Sequence, residues 1–338
     1  MIKTTKAYLL FAAICIAATL LLIGCQDCKK HYTVVESTAL GTFVQIKCSP
    51  AITKDELRDI VRDIDTEAKV SMSIFEQESL ISQLNNNECD SLDNHILANL
   101  TLAQRYYELS NGYYDVTIKP LTSAWGFASL SEKRNNPNID SLLEFVGFDK
   151  IAITEGRLVK SDNRVQIDLN SIAKGYVVDL VAETLEKRGV ESYMVNIGGE
   201  IRCKGTNPEG NAWHIGIETP YEGNFEQNSL EKIIPVSNCA VATSGNYRRY
   251  YTSEDGLKVC HTINPKTGYS VLSNLLSATV VAPTCAEADA AATMFMAMGS
   301  EGGALELAKE CEKDYGWSYY FIYADGEGYR VESSARFK

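Results

Sequence analysis

Basic charge is scarce in this chain. Its 338 residues carry 32 Lys and Arg against 44 Asp and Glu, a formal charge of −12. Sequence-independent nucleic-acid binding runs on cations that neutralise phosphates, so no nucleic-acid partner is expected. A phosphate-bearing ligand would have to be held locally, by backbone amides, a few cations or a metal. Histidine is scarcer still, with four residues, and none of the ten cysteines joins a Cys/His cluster with zinc spacing. Cys25 and Cys28 form the one close cysteine pair, and no disulfide pairing can be read from the order of the rest. Internal repeats and low-complexity linkers are missing. After the first 24 residues no apolar run is long enough to span a bilayer. The remaining composition, 45% hydrophobic and 22% charged, is that of a globular protein. The length allows about two domains or one large one.

What is present begins with a targeting segment. Lys3 and Lys6 precede an uncharged stretch from Ala7 to Gly24, rich in Leu, Ala and Ile, which ends in Leu22-Ile23-Gly24-Cys25. A cationic start, an apolar run and a small residue before the cut describe a secretory signal. Cys25 after Leu-Ile-Gly is similar to the lipidation site of a bacterial lipoprotein. The expected organisation is a signal peptide over 1–24, a polar tether over 25–32 and a folded domain over 33–338. The chain would then be lipid-anchored to a membrane and face the periplasmic, extracytoplasmic side. A retained signal anchor is the alternative.

Hydrophobic periodicity gives a mixed pattern. Val34–Lys47 reads as strand, turn and strand, broken at Leu40-Gly41-Thr42. Leu57, Ile60, Val61 and Ile64 predict an amphipathic helix over Lys54–Val70. A second helix is predicted over Ile96–Ser110, stopped by Asn111-Gly112. Leu130–Asp140 reads as a loop, Leu158–Leu169 as a hairpin strand, Ile172–Arg188 as a helix and Tyr193–Ile197 as a buried strand. Trp213–Ile217, Ile233–Val236 and Leu276–Ala282 read as strands, with Glu222–Glu231 a polar connector. Thr284-Cys285-Ala286-Glu287 has the form of a capping box and opens a helix that runs to Gly299. Trp317–Tyr323 and Gly328–Val331 read as a closing hairpin. Strands and helices mix without strict alternation, which predicts an α+β fold.

Five constellations could carry chemistry. Asp168-Leu169-Asn170-Ser171 leads into a helix whose free amides, with Lys174, suit an anion; simple capping by Asn170 or Ser171 is the plainer alternative. Asp289 and Thr293 lie four apart on one helix face among alanines. Their oxygens suit Mg²⁺ or Ca²⁺, although a mid-helix Thr often bonds back to the carbonyl four residues earlier. Thr243-Ser244-Gly245-Asn246-Tyr247 reads as a polar turn able to hold phosphate or sugar oxygens, or as an ordinary turn. His261 precedes a Pro/Gly turn at Asn264–Gly268; it could take a proton near neutral pH or be structural. Tyr113, Tyr114 and Trp125 could stack on a planar ring or belong to the core.

The order of these blocks resembles the ApbE family of flavin transferases. The matching stretches are Leu40-Gly41-Thr42, Ser71–Asn85, Gly112–Pro120 with Trp125-Gly126-Phe127, Asp168–Asp179, Val195–Glu200, Thr243–Tyr247, His261–Gly268 and Ala286–Gly299. The resemblance covers most of 33–338. It implies an α+β flavin transferase domain with mixed and antiparallel sheets, packed helices and FAD in a cleft between subregions. It implies transfer of FMN from FAD to a Ser/Thr hydroxyl of an acceptor protein, with release of AMP. The acceptor would be a flavoprotein subunit of a membrane redox complex or another extracytoplasmic protein. By resemblance Asp289, Thr293 and the Ala173 carbonyl hold Mg²⁺. Leu40, Phe75, Tyr113, Tyr114, Asp115, Asn170, Tyr176 and Ile263 contact FAD. His261 is the candidate base, and Asp168 the second candidate for that role or for orienting a neighbour. Three positions depart from the family pattern: Leu40 stands for the usual Met, Phe75 for Tyr and Asn264 for Asp. The rival readings are a metal-dependent FAD pyrophosphatase, a non-catalytic FAD-binding lipoprotein and a periplasmic solute-binding lipoprotein.

Overall fold

The computed structural model describes residues 31–50, 52–128, 137–220, 230–246, 250–252, 256 and 258–337. The expected lipidation site Cys25, most of the loop read over Leu130–Asp140, most of the Glu222–Glu231 connector and Tyr247 lie outside them. Residues 32–338 form one compact unit. Among the described residues no helix is long and apolar enough to cross a membrane.

The chain opens with β1 (Thr33–Ala39) and β2 (Thr42–Ser49), followed by α1 (Lys54–Met72), α2 (Leu80–Asn85), α3 (Asn94–Leu109), α4 (Lys119–Ala124) and α5 (Ile139–Leu143). Next come β3 (Ile151–Thr154), β4 (Arg157–Lys160), α6 (Ala173–Lys187), β5 (Ser192–Ile197), β6 (Glu200–Lys204), β7 (Trp213–Glu218), β8 (Leu230–Val236) and β9 (Cys239–Gly245). The last part holds β10 (Tyr250–Thr252), β11 (Lys258–Cys260), β12 (Leu275–Ala282), α7 (Cys285–Met298), α8 (Ala304–Tyr315), β13 (Ser318–Asp325) and β14 (Gly328–Ser333). Eight strands form one sheet in the order β1-β2-β5-β6-β9-β12-β13-β14. Every pairing in it is antiparallel. The fold is α+β.

The period-two alternation of the strands sorts side chains onto the two faces of this sheet. Along β13, Tyr319, Phe321 and Tyr323 join the main core, while Tyr320 and Ile322 join a second cluster. In β12, Val280 faces the main core and Val281 the second cluster. Residues of α1, α3, α6, α7 and α8 fill the main core. Trp213, Ile215 and Ile217 of β7, with Ile234 and Val236 of β8, cover the other face. A third cluster of Leu121, Phe127, Ile139, Val146, Val259 and Ile263 binds α4, α5 and β11.

Local chemistry explains the elements that the sequence predicts. Leu40 and Gly41 have φ of 51° and 71°, the two-residue turn whose twist suits a hairpin. The Thr53 hydroxyl accepts the Glu56 N–H and starts α1. Thr284 caps α7 as expected, its Oγ1 accepting the Glu287 N–H at 3.3 Å and donating to the Glu287 carboxylate at 3.1 Å.

Three readings are corrected, and one helix is added. Residues 165–169 are not a strand of a hairpin; Arg157–Lys160 pairs with β3, while Gln166 makes only an isolated parallel bridge with Ile118. The Asn85 side-chain amide replaces the missing ladder, donating to Ile167 O at 2.8 Å and accepting the Ile167 N–H at 2.6 Å. Thr243 and Ser244 are not a turn but lie in β9, opposite Thr279 and Ala278 of β12. The C-terminal end of the loop read over Leu130–Asp140 is helical from Ile139, where Asn138 Oδ1 caps Ser141 N. Helix α8, which the reading passed over, has Gly residues in the left-handed region at both ends.

Candidate active site

Helix α7 is the element around which the site is built. Its sequence is mostly Ala and Met, and all but two of its residues are buried. Alanine has the highest helix propensity and the smallest side chain that keeps it, so neighbours approach closely. The closest approach is that of α6. A Cβ on Gly175 would stand 2.3 Å from the Cys285 carbonyl oxygen and 2.8 Å from the Asp289 Cβ. Glycine is therefore what lets the first turn of α6 lie on α7. At the contact the Gly175 N–H donates to Asp289 Oδ2 at 3.0 Å.

Asp289 is 4% exposed. Burial raises its carboxyl to about 7, against the opposing pull of the Lys174 ammonium. Lys174 itself ion-pairs with Glu200, which opens β6 after the Gly198-Gly199 turn. Burial drives the Lys174 ammonium down, but the Asp289 and Glu200 carboxylates outweigh it and hold it above its usual value. Two carboxylates thus face one ammonium, and the second Glu200 oxygen is buried with no hydrogen-bond donor.

One turn further along α7, the Thr293 hydroxyl shares a hydrogen bond of 3.1 Å with Ser244 Oγ in β9. Thr243 of the same strand pairs with Thr279 at 2.9 Å. Asp179, one helical turn beyond Gly175, locks the two helices together. Its carboxylate accepts the N–H groups of Cys285 and Ala286 at 2.9 and 2.8 Å, and Arg202 donates to it at 2.7 Å.

This donor set fits a hard cation. Asp289 carboxylate, Thr293 hydroxyl and the Ala173 carbonyl are oxygen ligands of the kind Mg²⁺ takes. The surplus negative charge and the undonated Glu200 oxygen favour a cation nearby. Among the described residues no three His, Cys, Asp or Glu side chains converge as a metal cage. A set with a single carboxylate is one that water and substrate phosphate oxygens complete.

The second group gathers at the start of α6. Asp168 is buried; its carboxylate accepts Thr122 Oγ1–H at 3.1 Å and the Asn170 N–H at 2.9 Å. Asn170 is exposed. Buried Tyr114 shares a 2.8 Å hydrogen bond with Ser171. Tyr176 is half-buried, and its hydroxyl meets His95 Nδ1 at 3.1 Å. Asp115 is buried and already committed, accepting from the Thr117 amide and hydroxyl at 2.8 and 2.7 Å and from Phe148 N at 3.0 Å. Burial pushes its carboxyl up to about 6.

The segment after β11 comes to the Asn111–Asp115 turn. Lys266 Nζ lies 4.6 Å above the Tyr113 ring and donates to Asn111 O at 3.3 Å. Ile263 is in the third core cluster. His261 is half-exposed and stands edge-on to Phe127 at 6.4 Å between centroids. Asn264 keeps the turn, its Oδ1 accepting the Lys266 N–H at 2.9 Å. Leu40 and Phe75 occupy separate turns and, among the described residues, hydrogen-bond to none of the Asp289 group. Asp65 of α1 receives the Leu40 N–H at 2.8 Å, and Phe75 is exposed.

Sequence reasoning gave no role to Asp65, Asp179 or Glu200. Glu200 follows a Gly-Gly turn, Asp179 lies on a helix and Asp65 on another, and a single acid in such a place carries no signal of its partner.

The central antiparallel sheet, backed by helices with a buried acid at their crossing, defines an α+β enzyme-like architecture. The chain belongs to the ApbE family, which residues 40–316 match. A curated relative from Haemophilus influenzae, named FAD:protein FMN transferase, is 35% identical over 98% of this chain and 97% of its own length. One of the same name from Vibrio cholerae is 34% identical over 86% of this chain and 88% of its own. The solved flavin transferase ApbE from Vibrio cholerae superposes with a TM-score of 0.78 at 29% identity, covering 91% of this chain and 98% of that one. The flavinyl transferase ApbE of Pseudomonas stutzeri gives 0.80 at 28% identity, covering 91% and 96%.

Proposed function

We propose that this chain is an FAD:protein FMN transferase. It moves the FMN half of FAD to a Ser or Thr hydroxyl of an extracytoplasmic acceptor protein and releases AMP. The observation that carries the reading is the α6–α7 crossing, where buried Asp289 meets the first turn of α6 with the Thr293 hydroxyl one turn along. Membership of the ApbE family supports the same chemistry.

Asp289, Thr293 and the Ala173 carbonyl would hold Mg²⁺, which when bound neutralises phosphate charge and makes phosphorus more open to attack. In this reading exposed Phe75 and Asn170 and half-buried Leu40, Tyr113 and Tyr176 would touch FAD, with buried Tyr114, Asp115 and Ile263 also in contact with it. In the step itself the acceptor oxygen forms a bond to the FMN phosphorus. The bond from that phosphorus to the bridging oxygen breaks, and AMP departs with the bridging oxygen. His261 takes the hydroxyl proton, and Asp168 orients the α6 start through Asn170 and Thr122. Most of the acceleration in such phosphoryl-type transfer comes from positioning and charge stabilisation. We place the enzyme on the extracytoplasmic side, anchored by a lipid on Cys25, on the strength of the N-terminal sequence.

Purified protein, FAD and Mg²⁺ with and without an acceptor test the reading by AMP release. AMP that depends on the acceptor is expected. Full-rate AMP without acceptor would make the protein a pyrophosphatase, and flavin binding with no AMP in any mixture would make it a carrier.

A further inference from the structure

The face of the sheet opposite the site holds two cysteines that neither the flavin chemistry nor the lipid anchor uses. Cys203 of β6 and Cys239 of β9 are register partners in adjacent antiparallel strands. Directly opposed residues in such a pair have Cα atoms about 4.5–5.5 Å apart, inside the range of about 4.4–6.8 Å that a disulfide spans. Their side chains point the same way. Both belong to the cluster under β7 and β8, Cys203 fully buried and Cys239 half-exposed at its edge. Among the described residues no other two cysteines are register partners.

Their surroundings suit oxidation. Arg336 Nη2 donates to Cys239 Sγ at 3.8 Å. Cys203 is buried, which drives its thiol up, while Cys239 is half-exposed, so Cys239 is the sulfur an oxidant reaches first. The pair also sits at the root of an excursion. The chain leaves the sheet after β6, forms the β7–β8 hairpin and returns as β9. That root is already clasped by Ser237 Oγ donating to Gly205 O at 2.7 Å and Gly205 N donating to Asn238 Oδ1 at 3.2 Å.

We propose that Cys203 and Cys239 are a disulfide site that staples the root of the β7–β8 excursion when the chain meets a disulfide-bearing oxidant. The Cys239 thiolate attacks one sulfur of the oxidant, forming a mixed disulfide and releasing one thiol. Cys203 then loses its proton and attacks the Cys239 sulfur, so the internal bond forms and the second thiol leaves. Two electrons pass from the cysteine pair to the oxidant, which departs as two thiols. The proposal does not depend on the flavin reading.

The test treats the full chain with oxidised glutathione. Thiols are then alkylated in denaturant, and the protein is mapped by mass spectrometry without reduction. A peptide linked through Cys203 and Cys239 is expected, with two alkylated thiols fewer than in the reduced protein. Closing a loop of this length should raise Tm by roughly 5 °C, reversed by dithiothreitol. Cys239→Ser and Cys203→Ser should each remove both the link and the reducible shift. Alkylation of both residues after oxidation of natively folded protein, a persistent glutathione adduct on Cys239, or a link from either to another cysteine would overturn the proposal.

Discussion

His261 is the side chain whose role is most open to a direct check. It stands half-exposed at the end of β11, edge-on to Phe127 of the third core cluster. General-base catalysis contributes about 10²–10⁴-fold. His261→Ala should therefore slow FMN transfer by roughly that factor and leave FAD affinity, read by flavin fluorescence, nearly unchanged. A variant that loses FAD binding or unfolds would make the ring structural. Asp115 makes a different prediction. Its carboxyl is raised by burial from 3.8 to about 6, so the folded protein holds this proton more tightly than the unfolded chain. The stability linked to it is full below pH 4 and is lost as the pH rises through about 6. The loss amounts to about 3 kcal/mol. Asp115→Asn should remove that part of the pH dependence between about pH 4 and 6 in urea unfolding. Parallel profiles for the variant and the parent would contradict it. At a third position Leu40 holds φ of 51°, uncommon for a non-glycine residue, and the Asp65 acceptor is what fixes it.

At the scale of elements the account depends on how closely α6 and α7 pack. Gly175→Ala would force a methyl into the Cys285 carbonyl, which is backbone and has nowhere to rotate. Overpacking of this kind costs about 1–3 kcal/mol. The same shift would part Asp289 from the Ala173 turn, so Mg²⁺ affinity should fall along with stability. Urea unfolding and metal titration of the variant read both effects, and an unchanged affinity would detach Ala173 from the metal. These elements were unequally legible in the sequence. The hairpin at Leu40-Gly41, helix α1, the Thr284 cap and the terminal β13–β14 pair announce themselves through local signals, a turn, a period and a cap. Residues 165–169 have a strand's apolar content, but their partners are the Asn85 side-chain amide 82 positions away and the backbone of Val116 and Ile118. Thr243 and Ser244 look like turn residues by composition, and only the neighbour β12 makes them a strand. Asp289 and Thr293 were legible as a face; Glu200 and Asp179 were not, because their partners come from elements far along the chain.

At the scale of the whole molecule the sheet separates two tasks. One face, with α6 and α7, gathers the buried acids Asp289 and Glu200 in a chain whose net charge of −12 cannot hold a diphosphate by broad attraction. The other face is a hydrophobic cover rooted at Cys203 and Cys239. The division places the proposed chemistry and the proposed staple on opposite sides, so oxidation should leave the rate of FMN transfer unaltered.

The central claim is that FMN leaves FAD for a protein hydroxyl under the control of Asp289. Intact-mass analysis of an extracytoplasmic acceptor, co-expressed with this chain or with its Asp289→Ala variant, tests it most directly. The account predicts a mass gain of FMN less one water, on a Ser or Thr, with the parent chain, and none with the variant although that variant folds. An acceptor of unchanged mass beside the parent chain, or full modification by the variant, would contradict it.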